Sequence, residues 1–215
     1  MIEDVRLDFD RLKRTGVAEA VFAEGKTAGQ VESIVLACLT AEQRLLLTRL
    51  STQKWDALGE TVKAALDYDP VSNTAILGLG DEPLRDGQIC IVAAGTSDLR
   101  VAREAQRTLI FHGHQADLVV DVGVAGLWRL LQEIERIRRH RVIIAVAGME
   151  GALFSVLAGL VDSLVIAVPT SVGYGVSANG KAALSSALAS CSPGIVTVNI
   201  DNGFGAAAAA LKIVG

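Results

Sequence analysis

The apolar positions of this chain change rhythm near residue 88. From Gln88 onward, wholly apolar runs alternate with segments of helical length. ICIVAA leads into a helix expected from about Asp98 to Gly113, ADLVVDV into one from Gly126 to His140, and VIIAVA into one from Gly151 to Val161. SLVIAV is followed by a loop and a helix from Gly180 to Ser190, and IVTVNI by GFGAAAAALKIV. The strand-like runs are rich in Val and Ile and do not alternate with polar residues. Strands buried on both faces read this way, and they belong to parallel sheets covered by helices on each side. Right-handed crossovers then give a doubly wound, three-layer α/β sandwich, flavodoxin- or Rossmann-like in plan.

Residues 1–87 read differently, as a mainly helical domain with one possible short strand. VRLDFDRLKRTG ends in Gly16, a natural helix stop. Thr27 is placed to cap a helix running through VESIVLACL, with Gln30 completing a capping box. AEQRLLLTRLS and STQKWDALGETVKAAL continue the helical reading. Within residues 66–88, TAILGL is the possible strand between turns. The domain boundary is set near Gly87, and residues 88–215 form the α/β domain. Three of the later helices, GALFSVLAGLV, AALSSALAS and GAAAAALKIV, lack a polar face. A helix apolar all round must be covered all round, which predicts a homo-oligomer.

Composition narrows the classes. Hydrophobic residues make up 51% of the chain, enough core for one or two domains. The net charge is -4, and the one basic cluster, ERIRRHR at 135–141, suits the polar end of a helix. No nucleic-acid partner is expected. The opening MIEDVRLDFDRLKR lacks the form of a signal peptide, and no apolar run approaches the roughly 20 residues that span a bilayer. No membrane association is expected. The three cysteines have neither metal-type spacing nor an even-numbered disulfide framework, which suits a reducing cytoplasm.

The chemistry concentrates late in the chain. The last 75 residues hold six charged side chains, and two of them, Glu150 and Asp201, sit in glycine-rich turns after apolar runs. Ionised groups in such surroundings are costly unless paired or used. In open α/β sheets ligands lie beyond the carboxyl ends of the strands. Here those ends are AAGTSDL (93–99), DVGVAGL (121–127), AGMEGAL (147–153), PTSVGYG (169–175) and NIDNGFG (199–205). Backbone N–H groups of the first loop, with the hydroxyls of Thr96 and Ser97, suit a phosphate at a helix N-terminus, with Ser97 or Asp98 as the cap. Each turn alone is ordinary strand-to-helix chemistry; five on one edge favour a site. Cys191, on the turn SCSPG, is either a nucleophile or a small buried hydrophobe. Cys38 and Cys90 lie inside apolar runs and fit the second description. His112, His114 and His140 are read as surface residues outside the ligand loops.

These loops carry a resemblance. AGTSDL, DVGVAGL, VAGMEGAL, AVPTSVGYG and SCSPGIVTVNIDNGFGAA, with DFDRLKRTG and AEGKT near the start, resemble the LarB family. Its members are pyridinium-3,5-biscarboxylic acid mononucleotide synthases of nickel-pincer cofactor biosynthesis. The C-terminal part of that family is similar to PurE, the aminoimidazole ribonucleotide carboxylase/mutase. The resemblance spans essentially the whole chain.

It implies a PurE-like catalytic domain and an enzyme acting on nicotinic acid adenine dinucleotide. Such an enzyme carboxylates the pyridinium ring at C5 with carbon dioxide and hydrolyses the phosphoanhydride, releasing AMP. The resemblance makes Cys191 the covalent nucleophile and Glu150 its partner acid/base. It places Gly95, Thr96, Ser97 and Asp98 in a phosphate loop, and Asp121, Gly123, Gly148, Met149, Ser171, Tyr174 and Asn202 around the substrate. Asp201 becomes the metal candidate, or else the cap of the final helix. Arg14, Glu24, Lys26 and Thr27 fall in motif positions suited to the adenylate half. Magnesium is expected at the phosphates, with no organic cofactor, and an octamer is expected by analogy with PurE. Trp128 stands where many relatives carry histidine, Ala23 replaces a glycine, and VSANGKAAL departs from a more glycine-rich pattern. These departures bear on the shape of the pocket.

Two other readings remain. A PurE-type carboxylase or mutase of a purine-pathway ribonucleotide would want a histidine in the ligand loops. A non-catalytic nucleotide binder would leave Cys191 and Glu150 without a task.

Overall fold

The computed structural model describes residues 7–80, 82–85 and 87–215. The chain forms two compact units: Met1–Pro83 with Phe111–Gly113, and Leu84–Ile110 with His114–Gly215.

In the N-terminal unit, α1 (Arg11–Thr15) stops at Gly16, which is left-handed with φ 74°. There follow β1 (Ala20–Phe22), α2 (Ala28–Thr40), β2 (Leu45–Thr48), α3 (Thr52–Asp56), α4 (Glu60–Ala65), β3 (Leu66–Asp69) and β4 (Thr74–Leu77). The strands make one sheet in the order β1-β2-β4-β3, with β1 and β2 parallel and the other pairs antiparallel. The expected capping box is present: Gln30 N–H donates to Thr27 Oγ1 at 3.2 Å and Thr27 N–H to Gln30 Oε1 at 2.9 Å.

One helical expectation in this unit is corrected. AEQRLLLTRLS is not a helix, because Leu45–Thr48 is a strand buried at every position. A central strand covered on both faces has no alternation to betray it, and leucine is a strong helix former. AVF and LDYD form two further strands beside the expected one at TAIL. The start of the first expected helix, at Val5 and Arg6, lies outside the described residues. So do Asp81 and Asp86, which follow TAILGL in the chain.

The C-terminal unit follows the predicted rhythm. Its strands are β5 (Ile89–Ala93), β6 (Asp117–Val120), β7 (Val142–Ala147), β8 (Leu164–Pro169) and β9 (Ile195–Thr197). All pair in parallel, in the order β6-β5-β7-β8-β9. The helices are α5 (Leu99–Phe111), α6 (Leu127–Ile137), α7 (Ala152–Ala158), α8 (Lys181–Ala189) and α9 (Gly203–Val214). Successive strand residues feed opposite cores. Cys90, Val92, Ile143 and Ala145 pack with Leu130 of α6, Phe154 and Leu157 of α7, and Ala183 of α8. Ile91, Ala93, Ile144 and Val146 pack with Ala105 and Leu109 of α5 and Ala206 and Ala210 of α9. Each fully buried Ile, Leu or Phe contributes about 1.5–3 kcal/mol. That two-sided burial is why the strands read as unbroken apolar runs.

The apolar helices α7 and α9 bury most of their surface within the chain, through Leu153, Phe154, Leu157, Ala206, Ala207 and Ala210. Exposed apolar side chains of this unit lie elsewhere, among them Leu127, Trp128 and Leu131 on α6, Tyr174 and Val176 after β8, and Leu188 and Val196 on either side of Cys191. The histidine expectation is also corrected, since His114 and His140 are buried. His140 sits where the chain leaves α6 and turns back into β7, with Nδ1 3.3 Å from the Ile137 carbonyl and Nε2 3.7 Å from Asp117 Oδ2. Among the described residues no helix is long and apolar enough to cross a membrane.

Candidate functional site

The strand order turns at β5. The chain leaves β5 for β6 on one side and passes back to β7 on the other. The loops that follow β5 and β7 therefore diverge and open a crevice at the carboxyl edge of the sheet. A cleft of about 300 Å³ lies there. Its walls are Ala94, Gly95, Ser97 and Asp98 after β5, Gly123, Val124 and Ala125 after β6, Gly148, Met149 and Glu150 after β7, and Val172 after β8. Small residues are required by close approach. A Cβ on Gly148 would stand 2.2 Å from the Val172 carbonyl oxygen, and one on Gly123 would stand 2.9 Å from that of Ala94.

Asp98 and Glu150 are the ionisable residues of the lining. Asp98 is 4% exposed. Its Oδ2 accepts the Gly95 N–H at 3.0 Å and its Oδ1 the Thr170 hydroxyl at 2.6 Å. Burial raises the pKa of Asp98 above the ordinary carboxylate value, outweighing these hydrogen bonds, and the negative charge of Asp201 adds to the rise. Glu150 is exposed at the rim. Met149 before it is left-handed, with φ 52°, and donates its N–H to the Val172 carbonyl at 2.7 Å.

The neighbouring loops are stitched by ion pairs. Asp121, left-handed at φ 63°, meets Arg129 at 2.7 Å. Asp201, left-handed at φ 56°, accepts the Ser171 N–H at 2.9 Å and stands 3.5 Å from Arg100. Asn179, in the loop after β8, is left-handed too, at φ 59°. Asn202 caps α9 by accepting the Gly205 N–H at 2.8 Å, so the cap considered for Asp201 belongs to its neighbour. Among the described residues no group of three His, Cys, Asp or Glu side chains gathers to hold a metal ion. Asp201, the metal candidate, has its carboxylate engaged by Ser171 and Arg100. Thr96, Ser97, Ser171 and Tyr174 are exposed on the same edge. Arg100, Arg129 and Thr170 were not singled out from the sequence. The hydroxyl directly after β8 in PTSVGYG was the available signal for Thr170.

The structure does not bring Cys191 to Glu150 within one chain. Cys191 is exposed on the turn between α8 and β9. Gly194 of that turn accepts a hydrogen bond from Val165 at the start of β8, at 2.9 Å. The turn thus lies at the amino edge of the sheet, opposite the cleft. The alternation of elements held this signal: a turn leading from helix into strand must fall on that edge. Cys38 and Cys90 are buried, and burial pushes the Cys90 thiol up to about 12.

In the N-terminal unit, Lys26 and Glu24 flank Gly25 in the turn before the Thr27 cap of α2. Lys54 holds that turn by donating to the carbonyls of Ala23 and Glu24. Arg14 pairs with Asp8 at 2.6 Å.

Fold and cleft together define a doubly wound α/β domain whose ligand edge presents a carboxylate. Residues 1–78 match the LarB/PurE-like N-terminal domain, and residues 88–215 match AIR carboxylase. A protein of Methanocaldococcus jannaschii, itself uncharacterised, is 40% identical over 215 residues, spanning 95% of this chain and 81% of that protein. The N5-carboxyaminoimidazole ribonucleotide mutase of the same organism is 37% identical over 131 residues, 59% of this chain and 78% of that protein. The chain belongs to the LarB family, with a PurE-like C-terminal domain. These domains are those of carboxylase- and mutase-type enzymes.

Proposed function

We propose that this protein carboxylates the pyridinium ring of nicotinic acid adenine dinucleotide at C5 with carbon dioxide and hydrolyses the phosphoanhydride. The products are pyridinium-3,5-biscarboxylic acid mononucleotide, for nickel-pincer cofactor synthesis, and AMP. The observation that carries the reading is Glu150, a carboxylate held at the rim of a small glycine-lined cleft in a chain of this family.

The chemistry requires two groups. A pyridinium cation is electron-poor and does not attack carbon dioxide. Addition of the Cys191 thiolate to C6 forms a C–S bond and moves a ring electron pair to nitrogen, giving a neutral dienamine. Its C5 attacks carbon dioxide, forming the C–C bond. Glu150 then takes the C5 proton and restores the dienamine. The C–S bond breaks, the thiolate leaves, and aromaticity returns. This is covalent catalysis with a leaving nucleophile and a general base.

Sulfur and carboxylate must reach the same ring, yet they sit on opposite edges of one sheet. In this proposal Cys191 is supplied by a second copy of the chain, within a homo-oligomer, with the octamer as the expected form. The exposed apolar side chains support such contacts: Leu188 and Val196 flank the cysteine turn, while Met149, Tyr174 and Val176 lie on loops of the cleft edge. The partner would also desolvate Glu150. No protein ligand set for magnesium stands out among the described residues, so magnesium enters with the substrate phosphates and no step is assigned to it.

The test is mass spectrometry of products from nicotinic acid adenine dinucleotide, labelled carbon dioxide and magnesium. Label in a mononucleotide together with AMP is expected; an unlabelled mixture sinks the reading. Separately inactive C191A and E150Q proteins, mixed and reassembled, should regain about a quarter of the activity if each site draws on two copies. Absence of any regain would place both groups in one chain.

A second reading, a mutase or carboxylase of a purine-pathway ribonucleotide, is favoured by the relative that is 37% identical. No histidine lines the cleft. Turnover of an aminoimidazole ribonucleotide, with none of the pyridinium dinucleotide, would select it.

A further inference from the structure

We infer that Asp98 is a positioning residue, whose buried carboxylate sets the place of Glu150 by tying together the loops that leave β5, β7 and β8. The inference rests on Glu150 being the proton carrier of the proposed reaction.

The geometry carries it. An ionised carboxylate only accepts hydrogen bonds and offers about four lone-pair sites. Two protein donors converge on Asp98, the Gly95 N–H at 3.0 Å and the Thr170 hydroxyl at 2.6 Å, and Thr170 in turn donates its N–H to the carbonyl of Ala147, the residue before Gly148, at 2.9 Å. These bonds join the ends of β5, β7 and β8, and Thr170 is fully buried. Both oxygens are therefore occupied from within the protein. This assigns Asp98 a task other than touching substrate, the role given to it by sequence resemblance.

From Gly148 the effect reaches Glu150 in two residues. On one side Gly148 packs against the Thr170 hydroxyl that Asp98 holds, which a Cβ at 148 would approach to 2.7 Å. On the other, the Met149 N–H is fixed to the Val172 carbonyl at 2.7 Å. Only glycine fits at 148, and left-handed Met149 then turns the chain so that Glu150 joins the cleft wall. Loss of the Asp98 acceptor would free the Thr170 side of that packing and leave buried donors unmatched, which is costly. Burial of this carboxylate, which raises its pKa, is a standing expense of the fold that its loop-tying role explains.

The experiment compares D98N, T170V and T170S with the wild type. The D98N change keeps the shape of the side chain but turns an amide NH₂ toward one of the donors. The T170V change removes the hydroxyl, and T170S keeps it. D98N and T170V are expected to lower kcat for carboxylation about 10- to 100-fold with KM changed less than about threefold, and T170S to recover most of the loss. Hydrogen exchange of residues 147–153 is expected to quicken in D98N and T170V and not in T170S. A rise in KM at unchanged kcat would overturn the inference, because Asp98 would then be a substrate ligand. Unaltered exchange over 147–153 in T170V would overturn it too, even if D98N fails to fold. Exchange needs no substrate. A wild type that carboxylates nothing defeats the functional reading, while exchange still decides whether Asp98 sets the Glu150 loop.

Discussion

Ser192, on the turn that carries Cys191, donates its hydroxyl to the Ser155 carbonyl in α7 at 2.9 Å. Ser190, on the other side of Cys191, bonds the Ser155 hydroxyl at 2.8 Å and accepts the Ser192 N–H at 3.2 Å. The exposed cysteine is thus flanked by a fixed frame. S190A removes two of these contacts and is expected to cost about 1–2 kcal/mol of stability. It should also slow adduct formation by Cys191 without altering the exposure of the sulfur. Urea midpoints and single-turnover rates check this; unchanged values for both would show the serines to be incidental.

Thiol labelling should separate the cysteines. Cys191 is exposed, whereas Cys38 and Cys90 are buried and burial raises both of their thiol pKa values. An aromatic disulfide reagent at neutral pH should modify Cys191 first, and the other two only in denaturant. Peptide mapping decides the order. Early labelling of Cys38 or Cys90 would contradict the packing described.

Two aspartates bend the pH dependence of stability in opposite senses. Arg136 beside Asp117 lowers that carboxyl below its ordinary 3.8. Its contribution is present above about 3.8 and is lost as pH falls through the lowered folded value. R136Q should destabilise by about 0.5 kcal/mol at neutral pH, an exposed-pair magnitude, and by less in acid. Asp98 is raised above 3.8, chiefly by burial. Between 3.8 and its folded value the native state keeps a proton that the unfolded chain has released, so stability declines as pH rises through that window. D98N should flatten that decline. Denaturant midpoints at several pH values test both, and an unchanged slope in D98N would refute the second.

Glycine replacements should diverge by site. At Gly148 an added Cβ meets the Val172 carbonyl at 2.2 Å and the Thr170 hydroxyl at 2.7 Å, so G148A is expected to destabilise by about 1–3 kcal/mol. At Gly29, inside α2, nothing lies within 4 Å, and G29A should stabilise by about 0.5 kcal/mol. Thermal melts measure both; a G148A protein as stable as the wild type would show the cleft wall to be pliant.

The five strand–helix units were readable because each strand lies between two helical layers and stays apolar throughout. The same feature hid β2: Leu45–Leu47 is equally apolar but belongs to a mixed sheet, where leucine's helix preference misleads. The Thr27–Gln30 box was readable because capping is local. Asp98 was visible as a residue of the first loop. Its bond to Thr170 was not, since 72 positions separate them and only the β5-β7-β8 adjacency joins them. The edge on which Cys191 falls followed from element order alone.

Within the C-terminal unit, every described non-glycine residue in the left-handed region sits beyond the carboxyl end of a strand: Asp121, Met149, Asn179 and Asp201. Each holds a backbone shape that disfavours a side chain by about 1–2 kcal/mol. The tension of this domain is thus kept where a ligand would be gripped. Anyone seeking a hardier version should leave those four alone and work in α2 or the mixed sheet, because glycine at the strand ends would relax the edge that the rest of the domain exists to hold taut.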